Sequence, residues 1–318
     1  MGDKLKGRNA VVTGAGRGIG KAVAMALAEE GANVVVCDLG VAVDGTGTDQ
    51  NPANETVQEC KKFGVKAIAQ YGDVSSFKDA EAAIKACVDN FGRIDILCNI
   101  AGIDKPKMIW NMTEQEWDQV VGVHLKGTFN FIRHAAPLMR DQKYGRIINC
   151  VSEAFIGGPS HLNYAAAKGG IATLTYGGAR ELGRSGVTVN SICPRAWTRM
   201  TADDKVIEGI KKRIAAGLMP ADQLDKMMNE LADPSYFATF VAYLASDAAA
   251  NVNGQIFFVS GIELGHWSQP QITTKVSRDW KKEGKWRFEE IEKLVPQKLL
   301  VGYVNPAPPQ PEDKEKKK

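Results

Sequence analysis

Short apolar runs recur along this chain, and a longer amphipathic stretch follows each of them. The runs are "NAVVTG", "NVVVCD", "KAIAQYGD", "IDILCNIAG", "GRIINCVS", "VTVNSICP" and "QIFFVS". Most are continuous and β-branched, and Gly or Asp bounds them. That pattern suits strands buried on both faces of a parallel sheet. Helical segments fall between them, at about 18–30, 53–63, 76–91, 113–140, 161–184 and 234–247. Two carry start signals. Thr113-x-x-Glu116 is a capping box, and Asp233-Pro234 is an N-cap followed by proline. Repeated β-α alternation predicts an α/β doubly wound fold with a seven-stranded parallel sheet flanked by helices.

Three segments break the rhythm. Residues 39–52 form a polar, Gly-rich loop after the second strand. Residues 198–233 make a long, partly helical excursion of the kind that serves as a lid. Residues 262–318 run on past the last strand. The division expected is a catalytic domain over 1–261 and an extension over 262–318. The extension should pack near Trp267, Trp280 and Trp286 and be disordered after about Asn305.

Composition excludes several classes. At 318 residues, 44% apolar and 24% charged, the chain is an ordinary globular one. The net charge is +3, of which the terminal "EDKEKKK" supplies +1, so no basic footprint for nucleic acid remains. No apolar run approaches membrane-spanning length. The first strand begins almost at once, "MGDKLK" lacks a myristoylation Ser/Thr, and "KKK" is no peroxisomal address. The six cysteines form no CxxC pair and stand beside no His at ligand spacing. The expectation is a cytoplasmic protein with buried free thiols and no metal.

"VVTGAGRGIGKA" follows the first strand and opens the first helix. Gly14, Gly18 and Gly20 are spaced G-x3-G-x-G. Glycines there allow a tight turn and close approach to a pyrophosphate, and the helix N-terminus offers free N–H groups. Asp38 ends the second strand. A carboxylate at that point accepts from ribose hydroxyls and repels a 2′-phosphate, which favours NAD over NADP. Asp73 and Val74 end the third strand, where an Asp meets an adenine amino group or caps the helix near Ser76. Asn99, Ala101 and Gly102 end the fourth strand beside the expected cleft.

"CVSEAFIGGPSHLNYAAAKGG" carries the chemistry. Tyr164 and Lys168 lie four apart and share a helix face. A tyrosine ordinarily titrates near ~10, and a neighbouring ammonium should lower that. Tyr164 then exchanges a proton with a substrate hydroxyl while Ser152 positions the reacting oxygen.

"TGAGRGIG", "NIAG", "S…YAAAK" and "VTVNSICP" together resemble the short-chain dehydrogenase/reductase family over about residues 5–260. The resemblance implies a single Rossmann domain, an NAD-dependent oxidoreductase acting on a small-molecule substrate, and a homodimer or homotetramer. It makes Ser152, Tyr164 and Lys168 catalytic. It also places Gly14, Arg17, Gly18, Ile19, Gly20, Asp38, Asp73, Val74, Asn99, Ala101, Gly102, Tyr164, Lys168 and Pro194 at the cofactor. The loop after Asp38, "TRMT" at 198–201 and the extension are similar to the dehydrogenase unit of peroxisomal multifunctional enzyme type 2 and its bacterial relatives. That points to a 3-hydroxyacyl-CoA or a bulky alicyclic, steroid-like alcohol. The alternatives are a 3-oxoacyl-carrier-protein reductase, which Asp38 disfavours, and a non-catalytic cofactor-binding subunit.

The sequence departs from the family at several points. "NNAG" is here "NIAG". The interval from Ser152 to Tyr164 is one residue short of the commonest form. Glu153, Arg195 and Trp197 are unusual near the nicotinamide region and become substrate-contact candidates. In "WDQVVGVHLKGTF", His124 stands where the family carries Asn as a fourth catalytic residue, next to a water linked to the lysine. A lone buried His could equally be a satisfied core residue.

Overall fold

The computed structural model describes residues 2–202, 204–217 and 219–306. Each quoted run becomes a strand: β1 Asn9–Thr13, β2 Asn33–Cys37, β3 Ala67–Gln70, β4 Ile96–Asn99, β5 Gly145–Cys150, β6 Val187–Arg195 and β7 Ile256–Ser260. An eighth, β8 Leu264–Trp267, follows at once. The order across the sheet is β3-β2-β1-β4-β5-β6-β7-β8. All neighbours are parallel except β7 and β8, which run antiparallel. The doubly wound parallel class therefore stands, with one antiparallel edge strand added to the seven that the sequence pattern predicts.

The helices are α1 Gly18–Glu29, α2 Asn51–Lys61, α3 Phe77–Phe91, α4 Glu114–Val121, α5 Gly127–Gln142 and α6 Leu162–Leu182. Three helices cross the 198–233 excursion: α7 Arg199–Ala202, α8 Asp204–Ala215 and α9 Gln223–Glu230. Helix α10, Ser235–Ala245, then leads back to the sheet. The first start signal is used as read, and the second one residue later, with Pro234 in the N-cap position. Thr113 and Glu116 form the reciprocal capping box of α4. The Ser235 N–H donates to Asp233 Oδ1 at 2.9 Å.

Strand periodicity explains the two cores. Alternate residues of a strand point to opposite faces. Val12, Val34, Val36, Ile96 and Ile148 face α1 and α10, against Leu27, Phe237, Val241 and Leu244. Val11, Val35, Leu97 and Ile147 face the other way, against Ile84 of α3 and Phe131 and Met139 of α5. Each fully buried Leu, Ile or Val contributes about 1.5–3 kcal/mol, so continuous β-branched strands feed both faces.

The chain divides into two compact units, Met1–Ser268 and Gln269–Lys318. β8 lies in the first unit, where Trp267 packs edge-on to Phe155 with ring centroids 4.9 Å apart. Within the second unit, α11 Trp280–Glu283 and α12 Phe288–Leu294 are joined through Arg278. Its guanidinium bonds Glu290 at 3.1 Å and lies 4.2 Å from the Trp286 ring centre. The expected disorder beyond Asn305 concerns residues 307–318, which lie outside the described residues. Among the described residues, no helix is long and apolar enough to cross a membrane.

Candidate active site

The carboxyl ends of β1, β2, β4, β5 and β6 open into one cavity of about 990 Å³. Gly14, Arg17, Gly18, Ile19, Gly20, Asp38, Asp73, Val74, Ala101, Gly102, His124, Ser152, Tyr164, Lys168 and Pro194 all line it. One cofactor candidate does not. Asn99 is buried and donates through Nδ2 to Asn149 Oδ1 at 2.9 Å, set back from the cavity wall.

The glycine turn fits an anionic dinucleotide. Gly14 and Gly18 have φ of +66° and +53°, which other residues rarely adopt. A Cβ on Gly14 would also come 2.7 Å from Ala101 Cα. Helix α1 starts with no side-chain cap, so its first N–H groups are left for a ligand at the positive end of the helix. The Asp38 carboxylate is fixed by two backbone donors, Gly16 at 2.7 Å and Gly40 at 2.6 Å. Asp73 Oδ1 accepts from both the N–H and the hydroxyl of Ser75, each at 2.8 Å, while Ser76 itself caps α3. The helix-cap role considered for Asp73 therefore belongs to Ser76.

At the other end, β5 delivers Ser152 and the first turn of α6 delivers Tyr164. One turn further, Lys168 is buried and donates to the Cys150 carbonyl at 2.6 Å. Its Nζ lies 5.4 Å from the centre of the Tyr164 ring. The electrostatics correct the expectation from sequence. Burial pushes the Tyr164 phenol up, aided by Cys150 and Asp104 and opposed by a hydrogen bond from Ser152. Lys168 is itself pushed down by burial. Spacing brings Lys168 near the phenol, but burial sets the direction of the shift in both groups.

His124 occupies a π-helical turn, Gly122–Lys126, between α4 and α5. Such a turn inserts an extra residue and re-aims the side chains around it. The ring is buried, and Nε2 lies 2.8 Å from the Ile103 carbonyl and 3.2 Å from its N–H. The shorter contact makes Nε2–H the donor, which leaves Nδ1 a bare acceptor. Nδ1 is buried and has no hydrogen-bond partner among the described residues. Burial, with Lys168 nearby, pushes the imidazole down to about 3. His124 is therefore neutral and edge-on to Tyr164, with ring centroids 5.0 Å apart.

The three substrate candidates are not on the cavity wall. Arg195 and Glu153 form a forked ion pair, with Nη2 2.9 and 3.0 Å from the two carboxylate oxygens. Trp197 is exposed, and its backbone N–H donates to the Ala232 carbonyl at 2.8 Å.

Sequence reading passed over Asp104 and His161, which do line the cavity. His161 Nε2 lies 3.3 Å from Asp104 Oδ2, and hydrogen bonding to that carboxylate pushes the imidazole up. His161 stands one helical turn before Tyr164, and Asp104 two residues past Gly102; that proximity was the available signal. Thr198 and Arg199 of the excursion also face the cavity.

Fold and cavity together define a class: oxidoreductases that work with a nicotinamide dinucleotide. The chain belongs to the short-chain dehydrogenase family, whose model matches residues 8–206. It is 41% identical over 284 residues to hydroxyacyl-CoA dehydrogenase ChsB1 of Mycobacterium tuberculosis, covering 86% of this chain and 84% of that one. It is 37% identical over 255 residues to 3-oxoacyl-[acyl-carrier-protein] reductase FabG of Staphylococcus aureus, covering 80% and 97%. Peroxisomal multifunctional enzyme type 2 of Drosophila melanogaster is 40% identical over 260 residues, 81% of this chain but 40% of that longer one. Among solved structures, a short chain dehydrogenase from Mycobacterium avium matches with a TM-score of 0.77 at 35% identity, over 96% of this chain and 98% of that one.

Proposed function

We propose that this protein is an NAD-dependent dehydrogenase that interconverts a secondary alcohol and a ketone on a bulky 3-hydroxyacyl-CoA. One observation carries the reading. A single cavity joins the Asp38 carboxylate at one end to Ser152, Tyr164 and Lys168 at the other. The glycine turn and the N-terminus of α1 would hold the pyrophosphate, Asp38 the adenosine ribose, and Lys168 the nicotinamide ribose. Bound there, the cofactor supplies the hydride acceptor or donor. Ser152 positions the reacting oxygen by a hydrogen bond. Tyr164 donates its phenolic proton to that oxygen during reduction and takes it back during oxidation. Lys168 favours the phenolate while it lasts. His124, neutral and pinned through Nε2, serves as a hydrogen-bond acceptor at Nδ1 and not as a proton carrier.

The name of one relative, at 41% identity, supports the hydroxyacyl-CoA class. A cavity of about 990 Å³ is at the upper end for a small-ligand site and suits an extended substrate. The catalytic domain runs through β8 to Ser268, a few residues past the boundary expected at 261, with 198–233 as lid and the residues from Gln269 on as an extension. Tyr236 and Tyr243 of α10, Leu264 of β8 and Ile262 in the turn before it form an exposed apolar face, which favours a homo-oligomer. Six buried free thiols fit a cytoplasmic setting.

The second reading is a 3-oxoacyl-carrier-protein reductase, favoured by the FabG match. The non-catalytic reading leans on His124 and Arg195, and the intact set of Ser152, Tyr164 and Lys168 on one cavity argues against it. A screen by NADH absorbance distinguishes these. It compares 3-hydroxyacyl-CoAs, 3-oxoacyl-carrier-protein with NADPH, and small free alcohols. Turnover of bulky acyl-CoA with NAD is expected; activity on small alcohols alone would remove the substrate class.

A further inference from the structure

Two guanidinium groups stand at the Asp38 end of the cavity. Arg17 lies in the glycine turn, directly after Gly16, whose N–H holds Asp38 Oδ2 at 2.7 Å. Arg199 opens α7, lines the same cavity, and feels the charges of both Arg17 and Asp38. A guanidinium beside the adenosine ribose accommodates a 2′-phosphate, whereas a carboxylate there repels it. This end of the cavity therefore carries opposing signals.

Asp49 pairs with one of the two, Arg17. Its Oδ2 takes Arg17 Nη2 at 3.3 Å. Asp49 is not a cavity residue. It lies at the end of the Gly-rich loop that follows β2, and the backbone fixes it there. Its N–H donates to Leu39 O at 3.2 Å, and its Oδ1 accepts from the Asn51 N–H at 3.0 Å, where α2 begins. Gly40, at φ +74°, brings the two arms of the loop together, and a side chain there would overlap the Asp49 carbonyl. The loop thus delivers a carboxylate to the outer side of Arg17.

We propose that Asp49 is a specificity-determining residue: by pairing with Arg17 it withdraws that guanidinium from the ribose end and holds the enzyme to the dinucleotide without a 2′-phosphate. This rests on the placement of the adenosine ribose against Asp38. Asp49→Asn keeps the Oδ1 acceptor for Asn51 and removes only the charge that holds Arg17.

The test is direct binding, followed by the fluorescence of NADH and NADPH titrated with the full-length protein. Four forms are compared: wild type, Asp49→Asn, Asp49→Asn with Arg17→Ala, and Asp38→Asn. The part-exposed ion pair is weak, so the expected gain is modest. Asp49→Asn should tighten NADPH relative to NADH by about fivefold, and the Arg17→Ala change should abolish that gain. If the ratio is unmoved in Asp49→Asn but moves in Asp38→Asn, the proposal fails and the ribose placement stands. A ratio unmoved in both overturns both. A gain that survives Arg17→Ala also overturns the proposal, because charge removal alone would then explain it.

Discussion

Gly102→Ala tests whether His124 is locked where the structure puts it. A Cβ on Gly102 would overlap Cε1 of the imidazole and lie 3.1 Å from both ring nitrogens. Optimal carbon contacts are about 3.5–4.0 Å, so the ring must move. It has little room. His124 is 2% exposed, and its Nε2 is bonded to the Ile103 carbonyl at 2.8 Å. Overpacking of this kind costs about 1–3 kcal/mol, and loss of the buried hydrogen bond adds about 1 kcal/mol. For a unit of this size that lowers Tm by about 4–10 °C. The assay is thermal unfolding of Gly102→Ala, His124→Asn and the double variant. The shorter Asn leaves space for the methyl group, so the double variant should be more stable than the sum of the single effects by about 1 kcal/mol or more. A Tm unchanged in Gly102→Ala, or strict additivity in the double, would refute the packed position of the ring.

Two further outcomes follow from the titrating groups. His124 is neutral throughout the working range because its imidazole is pushed down to about 3, so the pH–rate profiles of wild type and His124→Asn should coincide between about pH 5 and 9. A shifted limb in that interval would return a proton-transfer role to the imidazole. His161 is raised by hydrogen bonding to Asp104, so the pair contributes stability that is complete below about pH 6.5 and is lost as pH rises through the folded value. His161→Gln should therefore lower Tm most near about pH 6 and least near about pH 9, and a loss independent of pH would count against the pair.

Sequence legibility followed how local each cause was. The parallel strands were readable because burial on both faces forces continuous β-branched runs. β8 was not, because "LGHW" at the sheet edge is short and alternates between part-buried and exposed positions. Tyr164, Lys168, Ser152 and the glycine turn were legible because their spacings are short and tied to one strand or helix. The sign of the Tyr164 shift was not, since helical spacing gives proximity to Lys168 but not the burial that overrides it. Glu153 and Arg195 were flagged singly as substrate groups. Their pairing joins the segment after β5 to the end of β6, a contact that only the folded sheet makes. The Asp104–His161 pair escaped for the same reason. The hydrogen bond that holds the His124 ring is to Ile103, which belongs to the loop after β4.

The central claim is that Tyr164 carries the proton. Single-turnover NADH formation from a bulky 3-hydroxyacyl-CoA by Tyr164→Phe, measured beside NADH binding, tests it most directly. Turnover should fall by about 10²–10⁴-fold while NADH affinity is kept, since the ring still fills its place and only the exchangeable proton is gone. Turnover retained near the wild-type rate would contradict the mechanism.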